Sequence, residues 1–268
     1  MSYRTAFSDV LSHVIAPSAE RTGREGRFPR CSVTALGEAG LLGLTVSPEL
    51  GGGGLGLPDA AEVVAQVARA CPATAAVLQS HYAAVAVVEA YGNRWLRGEI
   101  AAGRHLSSLA LAAEAVPGEQ GVRTQAAGEP RSTANRSGGV VALRARKREV
   151  VAAGEADSYV WSSRPLAEQD GLTLWVVPAH ASDLFVPARP DGGGPCGSAT
   201  STVLADPVLV PADAMLGPDG GGLDIVLSAV LPWVLELEAV VGAAAIHPSV
   251  AAASVGPPRR PADSLAMS

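Results

Sequence analysis

The order of hydrophobic periods along this chain restricts its fold more than any single motif does. Over the first hundred residues apolar side chains recur at helical spacing, with Val33, Leu36, Ala39 and Leu41 in one segment and Ala61, Val64, Ala65 and Ala68 in the next. A longer helix runs through TAAVLQSHYAAVAVVEAYG and a short one through NRWLRGEIAAG. From His105 the period changes. HLSSLALAAE, GGVVALRAR, ADSYVWSSR, LTLWVVPA, DLFVPA and TSTVLADPVLVP are short segments rich in β-branched residues, separated by Gly, Pro, Asp and charged turns. After MLGPDGGG a new helix starts near Leu223. Helices, then strands, then a helix imply segregated domains and not a doubly wound sheet. The expected fold class is therefore α+β multidomain. A helical domain covers 1–104, a small β-barrel or sandwich covers 105–215, and a further helix covers 221–246. The tail 247–268 reads as disordered, because Pro248, Pro257, Pro258 and Pro261 forbid a long helix.

The charge balance removes several function classes. With a formal charge of −6, the chain has no strongly basic face for nucleic acid. The basic run Arg144-Ala145-Arg146-Lys147-Arg148 reads as a solvated strand face. Cys31, Cys71 and Cys196 lie far apart with no C-x-x-C spacing, so neither a zinc site nor a disulfide framework is expected, and no metal. Reduced thiols and the lack of a visible signal peptide lead to an expected cytoplasmic location. Ala70–Val88 is uncharged and long, but Pro72, Gln79, Ser80 and His81 interrupt it, so it reads as part of a buried helix pair and not a membrane span.

Residues 51–59, GGGGLGLPD, satisfy G-x-G-x-x-G through Gly51, Gly53 and Gly56. A dinucleotide site also needs a preceding strand and an acid about 20 residues on. No Asp or Glu occurs between Glu62 and Glu89. The glycines are instead expected to form a helix-to-helix corner, with Pro58 opening the next helix.

Several phrases resemble the acyl-CoA dehydrogenase family. Phe28-Pro29, then ALGEAGLLGLTV and GGGGLGL, resemble its amino-terminal helical domain. KREVVAAGEADSYV resembles a β-domain phrase usually reading K-x-W-I-T-N/S-A-x-x-A-D. VLVPADAMLGPDGGGLDIVL resembles the exit into the first carboxy-terminal helix. The similarity covers roughly residues 3 to 245. It implies FAD, an acyl-CoA substrate, and oxidation of the thioester to its α,β-enoyl form, with a carboxylate taking the α-proton. It also implies that 221–246 is the first helix of a bundle truncated in this chain, the tail being what a frameshifted or shortened gene would give.

The same phrases depart from the family at the flavin. Where (T/S)-E-P-x-x-G-S is common, this chain has Ala113 at the hydroxyl position, keeps Glu114, and has Ala115 for the proline. Glu149 replaces the flanking aromatic, Val151 and Ala152 replace the hydroxyl or amide donors, and Cys196 replaces an arginine. Flavin contacts are therefore expected from backbone alone, at Leu111, Ala113, Val151 and Ala152. Glu238 stands where some members carry the base, with Glu236 before it. His81-Tyr82 and the two tryptophans Trp161 and Trp175 read as core. Two functions follow from the resemblance. One is FAD-dependent dehydrogenation of an acyl-CoA. The other is a non-catalytic subunit, or a remnant, that forms a homo- or hetero-oligomer with another dehydrogenase chain. No membrane partner is expected.

Overall fold

The structure is a computed structural model, and it describes residues 3–111, 133–167 and 170–246. The tail expected to be disordered lies outside the described residues.

The chain opens with α1 (Tyr3–Val10) and α2 (Ala16–Glu25), joined by a π-helical turn, Leu11–Ile15. After α3 (Arg30–Glu38) it passes through turns and a short 3-10 segment, Pro48–Leu50, into the glycine corner. LTVSP, which reads as extended, is a series of tight turns. Gly51 and Gly54 have φ of 88° and 63°. Gly52 and Gly53 lie against main chain, where an added Cβ would sit 2.2 Å from the Val46 carbonyl oxygen and 2.5 Å from that of Leu44. The corner is therefore closed by backbone contact, which only glycine permits. Gly56 and Asp59 cap α4 (Leu57–Ala70), with Pro58 in its first turn. Then follow α5 (Pro72–Tyr91) and α6 (Arg94–Ala101). Glu89 of α5 accepts hydrogen bonds from Arg97 and from the Ser47 amide, tying α6 and the corner to one helix.

Ala and Val let α5 pack on all sides: Ala75, Leu78, Tyr82, Ala83, Ala84, Val85 and Val87 are fully buried. The core reading of His81-Tyr82 agrees with this. Tyr82 donates to the Leu41 carbonyl at 2.8 Å.

Among the described residues eight strands follow: β1 (Ser107–Ala110), β2 (Thr133–Ser137), β3 (Val140–Val150), β4 (Ser158–Ser163), β5 (Thr173–Pro178), β6 (Leu184–Phe185), β7 (Ser201–Pro211) and β8 (Met215–Leu216). Among the described residues they form two separate four-stranded sheets, ordered β1-β4-β5-β8 and β2-β3-β7-β6. Of the two expectations, barrel or sandwich, the barrel is corrected here: no closed barrel forms among the described residues. Each sheet keeps short, distinct edges, and β1 pairs with β4 in parallel, a connection that hairpin reasoning does not anticipate. Trp161 and Trp175 face each other across β4 and β5 and are fully buried, as expected of core residues.

The basic run also needs correction. In β3 the side chains alternate, so Arg144, Arg146 and Arg148 are exposed while Val141, Leu143, Ala145 and Lys147 point inward. Lys147 is fully buried. The period of the strand, not the local charge, decides its direction.

The chain then enters α7 (Gly222–Ile225), a π-turn over Val226–Val230, and α8 (Leu231–Ile246), which packs on α4 and α5. By length and composition Gly222–Ala244 could cross a bilayer. Leu223, Leu227, Leu231 and Leu235, four residues apart, are 39–57% exposed along one side.

Replacing Gly52 with Ala forces a methyl into the Val46 carbonyl, and the unfolding free energy is expected to fall by about 2 kcal/mol or more. Gly98→Ala, in α6 with nothing within 4 Å of the new methyl, is expected to be neutral or stabilising by about 0.5–1 kcal/mol. Urea melts of both variants check this.

Candidate active site

Of the flavin-facing positions implied by the resemblance, Leu111, Val151 and Ala152 are described, and they border one seam, where β1 meets α5, β4 and the turn after β3. A relay of hydroxyls holds it. The Leu109 amide donates to Ser80 Oγ of α5 at 3.0 Å, Ser80 and Ser108 hydroxyls lie 2.7 Å apart, and Ser108 Oγ donates to the Val151 carbonyl at 2.6 Å. Because the Ser108 proton is committed to Val151, the Ser80 hydroxyl is the donor to Ser108. At the far end of β1 the Ser162 hydroxyl donates to the Leu111 carbonyl at 2.9 Å. Lys147 Nζ donates to Ser162 Oγ at 2.7 Å and reaches the same carbonyl at 3.4 Å. Leu111 and Val151, far apart in sequence, are thus each pinned through a carbonyl oxygen by a serine from a neighbouring strand.

The turn after β3 is strained. Glu149 and Ala152 have φ of 53° and 55°, and Ala199 opposite has 52°. The Ala152 and Ala153 amides donate to the Ser198 and Ala199 carbonyls at 3.0 and 2.9 Å. Glu149, which occupies the aromatic's position, is exposed, and its carboxylate accepts from the Gly193 amide at 2.9 Å. It has turned away from the seam.

These observations test the fit of a flavin. Val151 and Ala152 offer no hydroxyl, and the Ala152 and Ala153 amides are already bonded within the chain. What remains is main chain held at fixed positions beside Leu111 and Val151, with the Glu149 carboxylate out of the way. Any contact the seam offers a flavin is main chain. Ala113 lies outside the described residues. Cys196 is exposed and sits over Gly26 at the end of α2.

Glu238 is on α8, which packs on α4 and α5, and both it and Glu236 are exposed. No hydrogen bond or ion pair to a described residue brings Glu238 into the seam. A general base is helped by desolvation, and nothing described here supplies it. Among the described residues no group of three His, Cys, Asp or Glu side chains could hold a metal ion.

Two buried bases flank the seam. His81 Nδ1 accepts from the Ser107 amide at 3.2 Å and Nε2 lies 2.9 Å from the Leu42 carbonyl. That pair of contacts assigns the proton to Nε2 in a neutral ring. Burial pushes the imidazole down to about 4. Burial alone lowers the Lys147 ammonium to about 7, with the indole of Trp161 at 5.3 Å from Nζ. The Trp161 indole nitrogen is itself buried without a hydrogen-bond partner.

Sequence reasoning missed Ser80, Ser108, Lys147 and Ser162. The available signal was polar residues at inward positions of otherwise apolar strands, as in SSLA and SYVWSS.

The comparisons with known proteins point the same way. Residues 2–102 match the acyl-CoA dehydrogenase, N-terminal domain. An acyl-CoA dehydrogenase of Bacillus subtilis is 25% identical over 232 residues, which is 84% of this chain and 59% of that protein. The human short-chain specific acyl-CoA dehydrogenase, mitochondrial, is 26% identical over 227 residues, 82% of this chain and 53% of the relative. The chain is thus similar to acyl-CoA dehydrogenases over more than four-fifths of its length, and its first hundred residues match their N-terminal domain. It spans a little over half the length of these curated relatives. Among solved structures, an acyl-CoA dehydrogenase from Geobacillus kaustophilus superposes with a TM-score of 0.80 at 17% identity, over 92% of this chain and 65% of that one. A KijD3 structure in complex with FMN and a dTDP-linked sugar gives 0.75 at 24%, over 97% and 66%. At these identities the structures establish the fold alone.

Both buried bases have native pKa values below their unfolded ones, so the unfolded chain binds more protons in each window. Stability is expected to rise with pH between about 4 and 6.5 through His81, and between about 7 and 10.5 through Lys147, by a few kcal/mol in each. Urea melts across this range check it. Lys147→Met flattens the upper window and His81→Asn the lower.

Proposed function

We propose that this chain takes part in FAD-dependent α,β-dehydrogenation of an acyl-CoA thioester, with the flavin held by main chain at the seam beside Leu111 and Val151. The observation that supports it is the double pinning of those two carbonyls by Ser162 and Ser108. It fixes the two main-chain edges that the family resemblance sets against the ring. When bound, FAD supplies the hydride acceptor. The chain's own part is to orient and to exclude water. Glu238 is the carboxylate proposed as base, and it needs to be covered before it is desolvated. A cytoplasmic location belongs to the same reading.

A second reading is a non-catalytic subunit that pairs with another dehydrogenase chain. Two observations favour it. The Ala152 and Ala153 amides are spent on the Ser198–Ala199 turn, and the leucine side of α7 and α8 is exposed next to an exposed Glu238.

Lacking about three side-chain donors worth about 1 kcal/mol each, the seam is expected to bind FAD about 100-fold more weakly than a seam that has them. A titration followed by flavin fluorescence, with the visible spectrum of the purified protein, measures this. A micromolar flavin complex that reduces with an acyl-CoA supports the first reading. A colourless protein that assembles stoichiometrically with a purified full-length dehydrogenase supports the second. For the base, Glu238→Gln is expected to leave the melting temperature unchanged and to lower turnover by about 10²-fold or more. Unchanged turnover removes Glu238 from that role.

A further inference from the structure

Lys147 has no assigned part in the chemistry above, yet it stands where a charged side chain is costly. It lies on the inward side of β3, fully buried between the two sheets. A Met or Leu would fill the same space without desolvating an amine. What the amine adds is geometry. Its Nζ crosses from β3 to Ser162 of β4 at 2.7 Å and to the Leu111 carbonyl at 3.4 Å, and the Ser162 hydroxyl meets that carbonyl at 2.9 Å. Two donors from two sheets therefore converge on one oxygen, at the point where the chain leaves β1.

The groups packed around the amine explain its behaviour. From β3, Arg146 and Arg148 turn to the opposite side, and β7 presents Val203 across the ladder. From β4 come Trp161 and Ser162, and from the end of β1 the Leu111 carbonyl. Among the described residues no carboxylate or second base faces Nζ, and burial is the sole cause of its shift to about 7.

We propose that Lys147 is a positioning residue for the flavin-facing main chain at Leu111, acting with Ser162 as a clamp on its carbonyl. This rests on the flavin reading given above. With side-chain donors missing from Val151 and Ala152, main-chain position is what the seam has to offer, so the clamp governs affinity.

The experiment uses the full chain as wild type, Lys147→Met and Ser162→Ala. Amide hydrogen exchange of peptides covering Ser107–Leu111 is compared among the three at one pH, about 7, with an FAD titration of each. The wild type is expected to protect these amides about 5-fold more than Lys147→Met and to bind FAD about 5-fold more tightly. The urea midpoint of Lys147→Met is expected to hold or rise, so that a local loss of protection is separated from a loss of fold, and Ser162→Ala is expected to lose protection as well. If Lys147→Met protects these amides as well as the wild type does, the clamp is overturned. If Lys147→Met does not fold, Ser162→Ala decides by the same measure. If the protection is lost as expected but the wild type binds no FAD, the clamp on Leu111 stands and the flavin reading fails.

Discussion

Four residues of β1 hold the helical and sheet parts of this protein together. The strand pairs in parallel with β4. Its amide at Ser107 is received by His81, its amide at Leu109 by Ser80, and the Leu106 amide just before it by Asp157 at 2.7 Å. Its Ser108 hydroxyl reaches the turn after β3. So short a strand has little ladder of its own. Its position is set by side chains of α5 and by the turns around it, and a buried polar network of this kind fixes geometry only when every member is satisfied. His81 illustrates the requirement. It can serve β1 and the Leu42 carbonyl together only as a neutral ring with its proton on Nε2, and its complete burial keeps it neutral.

This arrangement separates what holds the fold from what touches a cofactor. Ser80, Ser108, Lys147 and Ser162 sit behind the seam and are all present. Ala113, Glu149, Val151 and Ala152 occupy the positions that the family resemblance sets at the flavin, and they are the ones that differ. Changing Glu149, Val151 or Ala152 leaves the pinning hydroxyls untouched, so the fold tolerates variation there. The cost falls on binding instead, since each missing donor removes about 1 kcal/mol of contact without opening a cavity in the scaffold.

The helices and the glycine corner were legible in the sequence because their signals are local. Helical periodicity, Pro58 at a first turn and a run of glycines each act over a few residues. Of barrel and sandwich, the barrel was not a sound expectation, because closure depends on which strand edges meet across long separations, and six short β-branched runs carry no information about that. Lys147 was misread for a related reason. Five residues rich in Arg and Lys look like a solvated run, but the two-residue period of β3 sends every second side chain inward whatever its charge. The relay of Ser80, Ser108 and Val151 was invisible for a third reason: it joins a helix, a strand and a turn that only the folded chain brings together.

The exposed leucine side of α7 and α8 and the exposed Glu238 pose one physical problem. A catalytic carboxylate works in a site that excludes water, and Glu238 stands in solvent. The same solvent makes four leucines at four-residue spacing unfavourable on a surface. Glu236 and Glu238 follow the last of these leucines by one and three residues, so they border the stripe on either side. Whatever surface covers the leucines also removes water from beside Glu238. Burial of this helix side and activation of its carboxylate are therefore coupled events, and a chain in which the first is missing has no physical route to the second.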